Sequence, residues 1–188
     1  MSASLGATET GREKRPVFVK VWDPVVRLFH WSLVLSFAVA MVTAEEWDTV
    51  HEYAGYAVAA LVGLRIVWGF VGTRHARFAD FVYRPSEVVR YVKDTLALRA
   101  RRYLGHNPAG GAMIVVLLLC LVGVSATGIL LGADTYKGLK WLEEVHEVLG
   151  NLCIGLVVLH IGGVVFSSFE HGENLVRSMV DGLKRSDY

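Results

Sequence analysis

Four histidines stand near the ends of four apolar segments: His30 in LFHW, His51 in TVHEYAGY, and His146 and His160, fourteen residues apart, in EVHEVLGNLCIGLVVLH. Neutral imidazole is a good ligand for iron, copper and zinc. Two imidazoles from different segments, meeting at one level, can grip a metal from opposite sides. The chemistry therefore depends on which histidines the surrounding elements bring to the same depth.

Those elements follow from composition. The chain has 188 residues, of which 53% are hydrophobic, and a formal net charge of +1. So apolar a chain of this length points to a bilayer as its solvent, and its near-neutral charge gives no reason to expect a nucleic-acid partner. The polar residues 1–20, with Glu9, Arg12, Glu13, Lys14, Arg15 and Lys20, lack the apolar core and cleavage site of a secretory signal and read as a cytoplasmic tail. Four stretches are long enough to cross about 30 Å of hydrocarbon, at about residues 25–44, 53–71, 110–131 and 145–166. They show no period of two, which excludes a β-barrel. The expected fold is all-α, a four-helix membrane bundle forming one domain over residues 21–188.

Loop charge orients the bundle. The connection 72–109 carries Arg74, Arg77, Arg84, Arg90, Lys93, Arg99, Arg101 and Arg102 against Asp80, Glu87 and Asp94. The positive-inside rule places this connection and both termini in the cytoplasm, in a bacterial inner membrane. The outward connections are acidic, with only Lys137 and Lys140 as cations. Within 72–109, Pro85 and Ser86 open a segment that sets Val88, Val89, Val92 and Leu96 on one face, either a helix on the membrane surface or a solvated connector.

Depth then pairs the histidines. Fourteen residues separate His146 from His160 by about 21 Å along a helix and return them to within about 40° of one face. His51, at the outer end of the second span, matches His146; His30, early in the first, matches His160. A haem that only carries electrons uses two axial ligands, so two bis-histidine haems would employ all four residues and leave no open coordination position. With no CxxCH signature in the chain, the haems would be held without covalent attachment. Cys120 and Cys153 lie in apolar runs and read as small hydrophobes. Thr43, Thr49 and Ser32 are candidate partners for the second imidazole nitrogen. His75, His106 and His171 fall outside the spans and read as solvated.

Arg65 lies fourteen residues after His51 at the inner level, where it either pairs with a haem propionate or snorkels to the interface. Trp68 suits an interfacial aromatic belt. In GHNPAGG, Asn107 reads first as the cap of the third span, with Pro108 in its first turn; receiving a propionate or a quinone carbonyl is the functional alternative.

The strings VWDPVVRLFHW, HEYAGYAVAALVGLRIVWGFVGTRHARF, GHNPAGG and EEVHEVLGNLCIGLVVLH resemble the bacterial cytochrome b-561 and nickel-hydrogenase cytochrome b family, over about residues 19–184. The resemblance implies a four-helix membrane bundle with two haem b groups, its ligands carried over to His30, His51, His146 and His160. It also implies a respiratory electron carrier, alone or as a subunit of a membrane oxidoreductase. The expected partners are quinone and a periplasmic redox protein, either a c-type cytochrome or a hydrogenase-like subunit. Superoxide:quinone oxidoreduction is one alternative, opposed by the acidic outer connections; a bundle with no redox role is the other.

Overall fold

The computed structural model describes residues 17–186; the greater part of the expected N-terminal tail, residues 1–16, lies outside the described residues. A short strand β1 (Phe18–Lys20) leads into α1 (Pro24–Val42), followed by α2 (Asp48–Val71), the short α3 (Phe78–Phe81), α4 (Pro85–Leu96), α5 (Pro108–Gly132), α6 (Lys140–Glu170), α7 (Leu175–Asp181) and strand β2 (Leu183–Arg185). Helices α1, α2, α5 and α6 are long and apolar enough to cross a membrane. They correspond to the four expected spans, each displaced by a few residues at its ends, and α6 runs 31 residues without a break.

Local chemistry explains where the spans begin. Asp23 caps α1 by accepting the Val26 N–H at 2.9 Å, with Pro24 at the first helical position. Asn107 does the same for α5, its Oδ1 accepting the Gly110 N–H at 2.7 Å ahead of Pro108. The expected capping role of Asn107 is thus observed. Along the spans Leu35, Phe70, Leu119, Val158 and Leu159 project outward, as in a bundle whose solvent is lipid. Trp47, Tyr53, Tyr136 and Trp141 are exposed near the ends of α2, α5 and α6 closest to His51 and His146, in the manner of an interfacial aromatic belt.

Helix α1 packs on α2, α2 on α5 and α5 on α6, while α1 and α6 make at most marginal contact. The interior is concentrated between α2, α5 and α6, where Val58, Val62, Leu118, Leu121 and Val124 surround Cys120 and Cys153. The two sulfur atoms lie 2.8 Å apart, and Cys153 is completely enclosed, so both cysteines pack as the small hydrophobes expected of them.

Beyond the membrane-crossing helices, at the end where the described chain starts and finishes, β1 pairs antiparallel with β2 in the register Phe18↔Arg185, Val19↔Lys184 and Lys20↔Leu183. This ribbon is a small addition to the expected all-α bundle. Three-residue strands carry no readable alternation, and their partners lie at opposite ends of the sequence. Buried charges fasten it: Arg102 and Lys184 reach Glu173 at 2.8 and 3.3 Å, and Lys184 Nζ also donates to the Tyr103 carbonyl. Burial alone would raise the Glu173 pKa, but the two cations outweigh it and hold the carboxyl below its ordinary range. The connection 72–109 therefore folds back under the bundle. In α4 the enclosed residue is Tyr91, while Val89, Val92 and Leu96 face outward as an apolar stripe.

Candidate cofactor site

At one end of the bundle the imidazoles of His51 on α2 and His146 on α6 face each other, with centroids 6.1 Å apart and planes at 85°. A metal–imidazole bond of about 2 Å on each side, plus about 1 Å from ring nitrogen to ring centre, separates an axial pair by about 6 Å. The observed spacing is compatible with two imidazoles on either side of one iron.

The second nitrogen of each ring is already engaged. His51 Nδ1 lies 2.8 Å from the Ala40 carbonyl, which can only accept, so Nδ1 carries the proton and Nε2 the lone pair. His146 Nδ1 lies 2.9 Å from Thr127 Oγ1, and that hydroxyl is also 3.0 Å from the Gly123 and Val124 carbonyls of its own helix. The single hydroxyl proton goes to a carbonyl, leaving the oxygen to accept from Nδ1–H. Both rings are thereby held in the tautomer that presents Nε2 as a ligand. Gly128 completes the seat, since a Cβ there would stand 3.0 Å from His146 Cε1.

Of the candidate partners read from sequence, Thr43 spends its hydroxyl on the Val39 carbonyl of its own helix, Thr49 is exposed, and the Ser32 hydroxyl does not reach either imidazole. The partners are instead Ala40 and Thr127. A Thr-Gly pair little more than one turn from the end of the third span was the available signal for the second, although nothing in the sequence says which helix faces His146.

The other pair sits lower in the bundle. His30 on α1 and His160 on α6 are within electrostatic reach of one another. His30 Nδ1 is buried with no hydrogen-bond partner, and its ring meets Trp31 edge-on at 5.2 Å. Glycines flank three of the four histidines one turn along the same helix: Gly55 after His51, Gly150 after His146 and Gly163 after His160. At each, an added Cβ would meet nothing within 4 Å. Protein atoms thus leave room beside three of the four histidines, and α1 and α6 scarcely touch. Among the described residues no group of three or more His, Cys, Asp or Glu converges on one point. Paired histidines suit a metal whose remaining ligands come from a macrocycle.

Arg65 is almost wholly buried, which removes the snorkelling alternative. Its guanidinium lies over the Phe78 and Phe81 rings at 5.3 and 5.7 Å, and Nη1 has no partner. A buried cation with an unused donor suits an anionic group such as a propionate. Trp68 does more than line an interface: with Thr73 it donates to Asp23, tying the end of α2 to the start of α1.

The expectation that His75, His106 and His171 are solvated is overturned. His75 is paired with Asp80 at 2.9 Å, with about a quarter of either side chain exposed. His171 is largely enclosed beside Glu170. The His106 ring packs 4.5 Å from Trp22 and 4.9 Å from Phe81, and burial, reinforced by Arg65 and Lys184, pushes its pKa down to about 3. The cause is the fold-back of 72–109, which covers residues a linear reading leaves in water.

Comparison with known proteins gives this geometry its context. The family model for prokaryotic cytochrome b561 matches residues 21–182. A probable Ni/Fe-hydrogenase B-type cytochrome subunit of Azotobacter vinelandii is 31% identical, over 94% of this chain and 93% of that protein. The similarly named protein of Rhodobacter capsulatus is 28% identical over 90% and 82%. The probable Ni/Fe-hydrogenase 1 B-type cytochrome subunit of Escherichia coli K12 is 30% identical over 61% and 60%. No solved structure matches the chain. Four membrane-crossing helices and this match over most of the sequence lead to one conclusion: the chain belongs to the prokaryotic cytochrome b561 family, as a multi-pass membrane b-type cytochrome that carries electrons.

Proposed function

We propose that the chain holds two haem b groups, one between His51 and His146 and one between His30 and His160, and passes electrons across the bacterial inner membrane between quinone and a periplasmic redox protein. The observation that carries this reading is the opposed pair His51 and His146, 6.1 Å apart, each with Nδ1 already bonded to the protein. Haem supplies reversible one-electron chemistry when bound. The chain's own part is to present Nε2 from a fixed tautomer, exclude water with the surrounding apolar side chains, and hold the two levels about 21 Å apart along α6.

Positive-inside charge favours the ribbon, α3 and α4 on the cytoplasmic side and the His51/His146 level on the periplasmic side. There the acidic connections, with Glu45, Glu46, Asp48, Glu143 and Glu144, suit a basic docking surface on a partner. Relatives named as hydrogenase cytochrome subunits favour a hydrogenase-type subunit over a c-type cytochrome. Superoxide is disfavoured, because Lys137 is already paired with Asp134 at 2.6 Å and only Lys140 remains to attract the anion. The outward apolar stripe of α4 suits the inner membrane surface.

The test is a haem count on purified variants. His146→Ala and His160→Ala should each retain about one haem per chain, with different visible spectra. Two haems per chain in both variants would refute the assignment.

A further inference from the structure

Cys120 and Cys153 are the chain's only cysteines, and they meet from different membrane-crossing helices, α5 and α6. Their sulfur atoms lie 2.8 Å apart. A disulfide bond is about 2 Å long, so closing one would move the two sulfurs together by less than about 1 Å. The thiols are also arranged in sequence. Cys153 S–H donates to Cys120 Sγ, and Cys120 S–H donates to the Leu149 carbonyl at 3.4 Å.

The depth of the pair is as specific as its spacing. Cys153 stands midway in sequence between His146 and His160, about 10 Å along α6 from each and within about 20° of the direction each histidine takes. The sulfurs therefore occupy the midpoint between the two proposed haem levels. Cys153 is completely enclosed and Cys120 nearly so, with Val58, Val62, Leu118, Leu121 and Val124 closing round them. Alanine would fill such a space as a small hydrophobe; what two facing thiols add is a pair of electrons. An ionic oxidant in water does not enter that apolar shell. An electron can cross it, by tunnelling through packed protein to a redox centre on either side.

We propose that Cys120 and Cys153 are a redox-active dithiol, which closes to a disulfide between α5 and α6 by giving its electrons to the haem levels above and below it. This rests on the dihaem reading above. In the step two S–H bonds break and one S–S bond forms. Two electrons leave, one to each oxidised haem, and two protons pass to water. The hydrogen-bond sequence leads from Cys153 through Cys120 to Leu149, less than one turn from His146, so the protons leave toward the His51/His146 level. Two electrons and two protons, returned after the donor has reduced the haems, reopen the bond. The dithiol matches the two haems electron for electron, and the chain holds twice the charge that its haems hold alone.

The experiment uses full-length, haem-loaded protein in detergent, reduced with dithionite, freed of reductant under argon and oxidised with ferricyanide. Samples are denatured in acid, and thiols are counted by maleimide labelling and intact mass. Reduced protein should label at both cysteines. Protein given excess ferricyanide should label at neither, weigh about 2 Da less, and yield α5 and α6 peptides joined by a reducible link. Oxidation should consume about four equivalents per chain in wild type and about two in Cys153→Ala or Cys120→Ala, at the same haem count. Given only about two equivalents, the reduced-haem absorbance of wild type should fall and then return without added donor as the thiols disappear, while Cys153→Ala stays oxidised. Two labelled thiols in fully oxidised protein that carries two haems overturn the dithiol and leave the function standing. Protein that purifies without haem overturns the dihaem function and the dithiol together.

Discussion

Thr127→Val removes one hydroxyl from the wall of the proposed His51/His146 site and changes the shape of that wall very little. In the wild-type protein the Thr127 oxygen accepts from His146 Nδ1–H at 2.9 Å while its own proton is held by a carbonyl of α5. Valine leaves that N–H unpartnered, a loss of about 1 kcal/mol net for a hydrogen bond of this kind. The bond pushes electron density onto the ring, which favours oxidised iron over reduced iron. If the whole of that loss falls on the oxidised form, the midpoint potential of one haem rises by about 40 mV, since a one-electron potential moves about 59 mV per tenfold change in equilibrium constant. The same loss corresponds to about fivefold weaker retention of the oxidised cofactor. Potentiometric titration followed in the visible spectrum resolves the two haems. One midpoint should rise and the other stay, because the partner of His51 is the Ala40 backbone. Thr127→Ser should return the moved midpoint to its wild-type value. Identical midpoints in Thr127→Val with two haems bound, or equal shifts in both, would refute the tautomer argument.

Two further outcomes concern stability. Gly111 lies where a Cβ would stand 2.1 Å from the Phe81 carbonyl oxygen, a contact with backbone that cannot yield. Gly111→Ala should therefore lower thermal stability in detergent by about 2 kcal/mol or more, whereas Gly162→Ala, with nothing within 4 Å, should cost nothing; equal melting temperatures for the two would contradict the packing of α3 under α5. Burial would raise the Asp23 pKa, but donation from Thr73, Val26 and Trp68 outweighs it and leaves the carboxyl below its ordinary value. A lowered folded pKa contributes stability above the unfolded value of about 3.9 and loses it as pH falls through the folded value. Asp23→Ala should accordingly cost about 2–4 kcal/mol at pH 7, Asp23→Asn less because it still caps, and the gap between Asp23→Asn and wild type should narrow below about pH 4 in thermal melts.

The spans were legible because runs such as AMIVVLLLCLVGVSATGILLG have only one stable form in lipid, and Asp23-Pro24 and Asn107-Pro108 announce two of their starts. The meeting of His51 with His146 was legible because helical rise turns sequence separation into depth, and depth leaves few partners. Rotation about the helix axis was not. Whether Thr127 or Thr43 supports a ligand depends on which side of α5 meets α6, and the apolar runs look alike from every side. The connection 72–109 was misread at His75 and His106 for a related reason: its charge density argues for water, while His75 is paired inside the connection with Asp80 and His106 is covered by Trp22, a residue far away along the chain.

The β1–β2 ribbon bears on when the chain becomes complete during synthesis. It joins Phe18 to Arg185, so the chain is closed into a ring only after nearly its last described residue has been made. The His30/His160 level belongs to the first and last membrane-crossing helices, which have little contact of their own and are brought together by that closure. The lower level is therefore set late in biogenesis, after α2, α5 and α6 have packed, and a chain cut before Leu183 leaves α1 held mainly by α2.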